Sequence, residues 1–366
     1  MKKKIYIVCA ALLLVIIAVV GLQKNNEVKN NKSARRNKAD KITIGFSFDT
    51  FLVDRWKKDR DVFVSKIKDC DSSADVIVKN ANGNVERQID NIEYLIDKKV
   101  DVLVIVSIDS EKLKGVIKKA KKENIKIIAY DRLIRDPEVD LYITFDNKQV
   151  GKSMARALCN EGLPRKKVLM IAGPKEDNNV STVEEGFKEV MKENGVEIVD
   201  KHYTENWNAD DAADYIKNLY EDEEKRKMLE SIDGIMCGND NIATTVITKL
   251  SELKLVGKIK VVGQDADLDA CQRIVEGIQV MTVYKEVEKL AETAAEYAYK
   301  FAKGIKVKIT ERYKDGDIDY PYVCLETIPV TKKNMEEVII YSGFHSRDEV
   351  YVNGYLDEEI SENITE

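Results

Sequence analysis

From residue 42 onward the chain alternates short β-branched runs with longer amphipathic stretches. The runs fall at 42–46, 75–78, 101–106, 126–130 and 141–145, and a second series follows at 167–172, 197–203, 234–238, 258–263 and 280–283. Continuous apolar runs of this length, separated by helix-length gaps, are the pattern of parallel strands buried on both faces and joined by crossover helices. Two consecutive sets of five predict two similar doubly wound α/β lobes with parallel sheets. After the tenth run, Val287, Leu290, Ala291, Ala294, Ala298 and Phe301 share one face of a helix. Shorter apolar runs through 305–345 leave enough chain for crossings between lobes.

The two ends read differently. Lys2, Lys3 and Lys4 precede an uncharged run at 5–22. At a helical rise this run reaches about 27 Å, close to the thickness of a bilayer core. It ends Val19-Val20-Gly21-Leu22-Gln23, without the small residues of a cleavage site, and Cys9 lies inside it with no acylation box before it. Residues 1–22 are therefore read as a signal-anchor, with a cleaved signal peptide as the alternative. Six basic side chains at 24–38 run against the positive-inside bias of such an anchor. Residues 23–40 carry hardly an apolar side chain and read as a polar tether. Residues 346–366 are acidic and poor in core residues, which predicts a loosely ordered tail.

Composition narrows the class. Hydrophobic residues at 44% and charged residues at 34% are those of a globular chain, and 366 residues suffice for two domains. The net charge of −6 is uneven: residues 1–40 carry +7, which leaves −13 on the body. An acidic body repels phosphate backbones, so nucleic acid is not an expected partner. The six cysteines have no paired spacing, so a metal site or disulfide framework is unsupported and they read as small buried hydrophobes.

Ligands of open α/β sheets bind beyond the carboxyl ends of the strands. The residues at those places are unusually polar in both halves. Asp49 and then Arg55-Trp56 follow the first strand, and Asp131-Arg132 the fourth. Asp177 and Asn179 follow the sixth, Trp207 the seventh and Asn239 the eighth. Asp265 and Asp267 follow the ninth, and Lys285 the tenth. Such groups suit a sugar, whose neighbouring hydroxyls make bidentate contacts with carboxylates, amides and guanidiniums. The C–H face of a pyranose packs on an aromatic ring, and Trp56 and Trp207 are the two tryptophans in the chain. Each residue also has a plainer explanation. Asp and Asn after a strand commonly cap the next helix. Arg55 fits a solvated helix face, and Trp56 with Phe63 and Ile67 fits helix packing.

At these residues the chain resembles the xylose-binding branch of the type I periplasmic sugar-binding proteins. The resemblance covers about 42–345. It rests on Asp54-Arg55-Trp56-Lys57-Lys58-Asp59-Arg60-Asp61, Ala81-Asn82-Gly83-Asn84, Ile127-Ile128-Ala129-Tyr130-Asp131-Arg132 and Phe145-Asp146-Asn147. Gly263-Gln264-Asp265-Ala266-Asp267, Met281-Thr282-Val283-Tyr284-Lys285 and Gly343-Phe344-His345 complete it. The resemblance implies two Rossmann-like lobes joined by a three-crossing hinge, with D-xylose in the cleft. An N-terminal lobe is expected over 41–146 plus 285–320, and a C-terminal lobe over 147–284 plus 321–345. The implied ligands are Arg55, Asp131 and Arg132 from one lobe, with Trp56 as a second stacking wall. From the other come Asp177, Asn179, Trp207, Asn239, Asp265 and the hinge-edge Lys285. Asp49-Thr50-Phe51 departs from the usual acidic and basic residues before Arg55.

No hydrolase, P-loop or metal motif appears and there are two histidines, so neither catalysis nor a cofactor is expected. A repressor of this fold would need a helix-turn-helix where the apolar segment stands. A binding protein on the outer face of the cell membrane remains, with two possible membrane partners. The anchor favours a sensor kinase or receptor. The alternative is the permease of an ABC-type xylose transporter, served by a released protein.

Overall fold

The computed structural model describes residues 41–51 and 54–353, so the expected anchor at 1–22 and tether at 23–40 lie outside the described residues. The elements run β1 (Thr43–Phe48), α1 (Asp54–Cys70), β2 (Asp75–Asn80), α2 (Val85–Asp97), β3 (Val102–Ile105), α3 (Lys114–Lys122), β4 (Lys126–Tyr130) and β5 (Leu141–Phe145). They continue through α4 (Asn147–Asn160), β6 (Lys167–Ala172), α5 (Asn178–Glu193), β7 (Glu197–Tyr203), α6 (Ala209–Glu221), α7 (Glu223–Glu230), β8 (Gly234–Cys237), α8 (Asp240–Glu252), β9 (Lys260–Val262), α9 (Leu268–Val275) and β10 (Thr282–Tyr284). The chain closes with α10 (Val287–Ala302), β11 (Glu311–Asp315), β12 (Ile318–Leu325), β13 (Ile328–Val330) and α11 (Arg347–Val350).

The first sheet has the order β11-β12-β5-β4-β3-β1-β2, parallel except for the β11–β12 hairpin. β1 and β3 to β5 are almost wholly buried because helices cover both faces. On one face Phe46, Phe63 and Ile67 pack with the apolar stripe of α10. Its Ala291, Ala294, Ala295 and Ala298 are small enough to let α10 lie close against α1 and the sheet. Each large side chain buried there stabilises the lobe by about 1.5–3 kcal/mol.

The second sheet has the parallel order β7-β6-β8-β9. The expected fifth strand joins it by a single bridge, Val262 to Met281, and β10 pairs instead with β13 in an antiparallel ribbon. The chain leaves the first sheet after β5, returns through α10, and leaves again after β12. That last crossing lies between Leu325 and Ile328, not at the expected 320/321 boundary. Residues Tyr322 to Leu325 pair in register with Tyr142 to Phe145 of β5, which keeps them in the first sheet.

Residues 346–353 are also not the loose tail expected for 346–366. Ser346 and Glu349 form a capping box that starts α11, Val350 is buried with Cys271, Ile274 and Val275, and Gln272 Nε2 donates to the Glu349 carbonyl at 2.7 Å. The remainder, 354–366, lies outside the described residues.

Candidate functional site

The carboxyl ends of both sheets face one another, and a small cavity of about 40 Å³ lies between them. The ten ligands implied by the resemblance all line it, together with Gln264, whereas Asp49 and Asp267, also picked out at strand ends, do not. The lining residues come from separate elements, and each has a local reason for its place.

Arg55 and Trp56 open α1. Trp56 is 2% exposed and packs with Phe48 in the first core, while the Arg55 guanidinium lies 4.2 Å and that of Arg132 5.5 Å from its ring centre. Neither residue sits on a solvated helix face. Arg55 reaches Asp131 at 3.2 Å and Asp59, one turn along its own helix, at 3.5 Å. Asp59 in turn accepts from the Tyr130 hydroxyl. Asp131 follows β4 with φ +63°, a left-handed conformation that Asp tolerates, and this turn sends two successive side chains into the cleft.

Contacts between the lobes centre on the N-terminus of α5. Asp177 caps that helix through the Asn179 amide and holds Arg132 Nε at 2.7 Å. Asn179 Nδ2 donates to the Asp131 carbonyl at 3.2 Å and to its carboxylate at 3.3 Å. Asn178 accepts from the Leu133 amide at 2.7 Å. Asn239 caps α8 through the Ile242 amide. Capping and cleft roles therefore coincide in Asp177 and Asn239, since each side chain has a second polar atom beyond the one its cap uses.

Trp207 sits in a short 3₁₀ turn, Glu205–Trp207, where Asn206 and Trp207 have φ of +50° and +60°. Its ring lies so close to Gly173 that a Cβ there would come within 2.5 Å of it, which is why the loop after β6 has glycine. Lys285 lies on the crossing between β10 and α10, just ahead of the helix. Its Nζ is 3.2 Å from Asp265 Oδ1.

Charge is concentrated here at low exposure. Burial opposes ionisation of Asp131, but Arg55, Lys285 and Arg132 together outweigh it and hold the carboxyl below the usual range. Asp177 and Asp49 share Arg132, and for both of them burial prevails and raises the carboxyl. Burial also raises Asp59, to about 6, against the attraction of Arg55. Arg55 is held more firmly protonated than usual, because Asp131, Asp59 and Asp265 outweigh its burial.

Sequence reasoning passed over Asp59 and Gln264 as members of this cluster, and named Asp49 at its strand end without giving it a ligand role. Asp49 pairs with Arg132, so the departure at 49–51 has a partner inside the lobe. The spacing of Asp59 from Arg55 was a usable signal, and Gln264 lies within Gly263-Gln264-Asp265-Ala266-Asp267, one of the strings that carry the resemblance. Arg55 Nε, Trp56 Nε1, Trp207 Nε1, Gln264 Oε1 and Asp265 Oδ1 are buried polar atoms with no hydrogen-bond partner. Asp265 Oδ1 thus faces Lys285 as an ion pair without a hydrogen bond. Among the described residues no group of His, Cys, Asp and Glu could hold a metal ion, and the cysteines are free.

The periplasmic binding protein domain family matches residues 44–306. The D-xylose-binding periplasmic protein of Haemophilus influenzae is 37% identical over 85% of this chain and 92% of its own length. That of Escherichia coli is 37% identical over 85% of this chain and 93% of its own. The structure of an ABC transporter solute-binding protein from Clostridium phytofermentans, with bound β-D-glucose, superposes with a TM-score of 0.74 at 26% identity, over 84% of this chain and 99% of that one. The chain belongs to the type I family of periplasmic sugar-binding proteins, and is an extracytoplasmic binding protein rather than an enzyme.

Proposed function

We propose that the protein closes around one molecule of D-xylose. The observation that carries this reading is the cavity itself, where buried cations and carboxylates alternate beside donors and acceptors that have no hydrogen-bond partner. A polyol supplies both kinds of group at each hydroxyl, and buried polar atoms left unpaired are costly. In this reading Arg55, Asp131 and Arg132 hold hydroxyls from the N-terminal lobe, and Asp177, Asn179, Asn239, Asp265 and Lys285 from the other. Trp207 stacks on the ring, and Trp56 carries the two guanidiniums on its face and forms part of the opposite wall. The names of the two curated relatives support xylose among the pentoses.

Calorimetry with D-xylose, D-glucose, D-ribose and D-galactose tests the assignment. A dissociation constant of about 1 μM is expected for xylose, equivalent to about −8 kcal/mol. Glucose is expected to bind more weakly, because closure around a pentose leaves no place for the hydroxymethyl group. Heat with ribose or galactose and none with xylose would overturn the reading, and equal affinity for glucose would overturn its pentose preference.

The liganded form is then presented to a membrane sensor kinase or receptor, a reading that rests on the apolar run at 5–22 and its poor cleavage site. Delivery to an ABC-type permease is the second reading, favoured by the solute-binding protein that this fold superposes on. The intact mass of protein from its native host separates them. Retention of residues 1–22 supports the sensor, and complete cleavage near residue 22 restores transport.

A further inference from the structure

The loop 263–267 carries Gln264 and Asp265 into the cavity in an unfavourable backbone conformation. Asp265 has φ +101° and Ala266 φ +55°, two consecutive left-handed residues of which neither is glycine. Such geometry persists only where the surroundings hold it. One buried carboxyl group does most of the holding. Asp240, fully buried at the start of α8, accepts from the Asp267 amide at 3.2 Å, from Thr282 Oγ1 at 2.6 Å and from Gln279 Nε2 at 2.8 Å. Its own amide donates to the Gln264 carbonyl at 2.9 Å. Thr282 Oγ1 meanwhile accepts from the Ala266 amide at 3.0 Å. Asp240 Oδ1 stands 2.2 Å from where a Cβ on Gly263 would be, so the carboxyl group fills the space under the loop.

We infer that Asp240 and Thr282 are positioning residues, a clamp that holds Asp265 in its left-handed conformation and thereby aims its carboxylate into the sugar site. Neither residue lines the cavity. Thr282 lies three residues before Lys285 on β10, and the Asp265 amide donates to the Val283 carbonyl at 2.9 Å. The clamp therefore ties the loop to the strand that leads into the hinge, and Asp265 and Lys285 keep their spacing as one unit. That the carboxylate matters for sugar rests on the reading proposed above.

The test compares Thr282→Val, which removes the hydroxyl without changing the shape, with Thr282→Ser, which keeps it. Thr282→Val should weaken D-xylose binding by roughly tenfold, as expected for a buried amide and a buried carboxyl group losing a partner. Thr282→Ser should stay within threefold of wild type. In an Asp265→Ala background Thr282→Val should add less than twofold, because its effect runs through Asp265. A general packing role would instead leave the effect undiminished in that background, and such a result overturns the inference. Ligand-free crystals of Thr282→Val give a readout that needs no sugar: a loop that leaves positive φ at Asp265 supports the clamp, and an unmoved loop refutes it. Should wild type bind none of the sugars, the proposed ligand is wrong while the loop geometry still decides the clamp.

Discussion

Replacing Asp131 with Asn isolates the charge at the centre of the site. Asn matches the side chain in size and is the other residue that tolerates φ near +63°, so the turn after β4 should survive. The amide oxygen can still accept from Asn179. What disappears is the negative charge beside Arg55, 3.2 Å away, and the attraction to Lys285 and Arg132. Arg55 keeps Asp59 at 3.5 Å, so no buried cation is left without a carboxylate. A hydrogen bond to a charged group contributes roughly 1.5–3 kcal/mol, so xylose affinity should fall about 10- to 150-fold. Asp131→Ala should show a similar loss of affinity but a larger loss of stability, because Ala in the left-handed region costs about 1–2 kcal/mol more. Calorimetry and thermal denaturation of the two variants read these terms separately. An Asp131→Asn constant within threefold of wild type, or an Ala variant as stable as the Asn variant, would refute the reasoning. The wild-type contribution of Asp131 should persist at pH 5, since a carboxyl held below its usual range loses its charge only in stronger acid.

Asp59 should behave in the opposite sense. Its folded carboxyl is raised to about 6 by burial, so its favourable contribution is complete below pH 4 and lost as the pH rises through 6. The two-unit shift corresponds to about 3 kcal/mol, and Asp59→Asn should gain stability relative to wild type by up to that amount as the pH goes from 4 to 7. Melting curves across that range that run parallel for the two proteins contradict this. Gly173→Ala should push the Trp207 ring off its seat, since the new methyl would meet it at 2.5 Å; roughly a fivefold weaker sugar constant and a changed tryptophan emission are expected, and wild-type values for both would exclude it. Lys58 of α1 lies 4.5 Å over the ring of Phe344, which packs with the C-terminal lobe, so the contact joins the closed lobes. Phe344→Leu should speed sugar release about two- to fivefold, as loss of a partly exposed cation–π contact predicts, and stopped-flow rates equal to wild type would remove that contact from the closure.

Much of the architecture was written in the local sequence. Continuous apolar runs at helix-length intervals located the strands of both parallel sheets, because strands buried on both faces admit few polar side chains. The ten cleft residues could be picked out because the fold places the ends of parallel strands at one edge, and polar residues there have no packing reason to recur in both halves. The last crossing was not legible. Whether 321–325 joins the first sheet depends on pairing with β5, a partner nearly two hundred positions away, and no local pattern records it. The fold of 346–353 was hidden for a similar reason: its acidic surface is solvated, and the burial of Val350 comes from α9. Tertiary structure alone decided how charge is shared in the cleft. The sequence shows Arg132, Asp49, Asp131 and Asp177 as equivalent charged residues. Three cations converge on Asp131 and hold it ionised, while Asp49 and Asp177 divide one guanidinium and yield to their burial. Such differences follow from distances of a few ångströms between groups on separate elements, in a medium that screens them weakly.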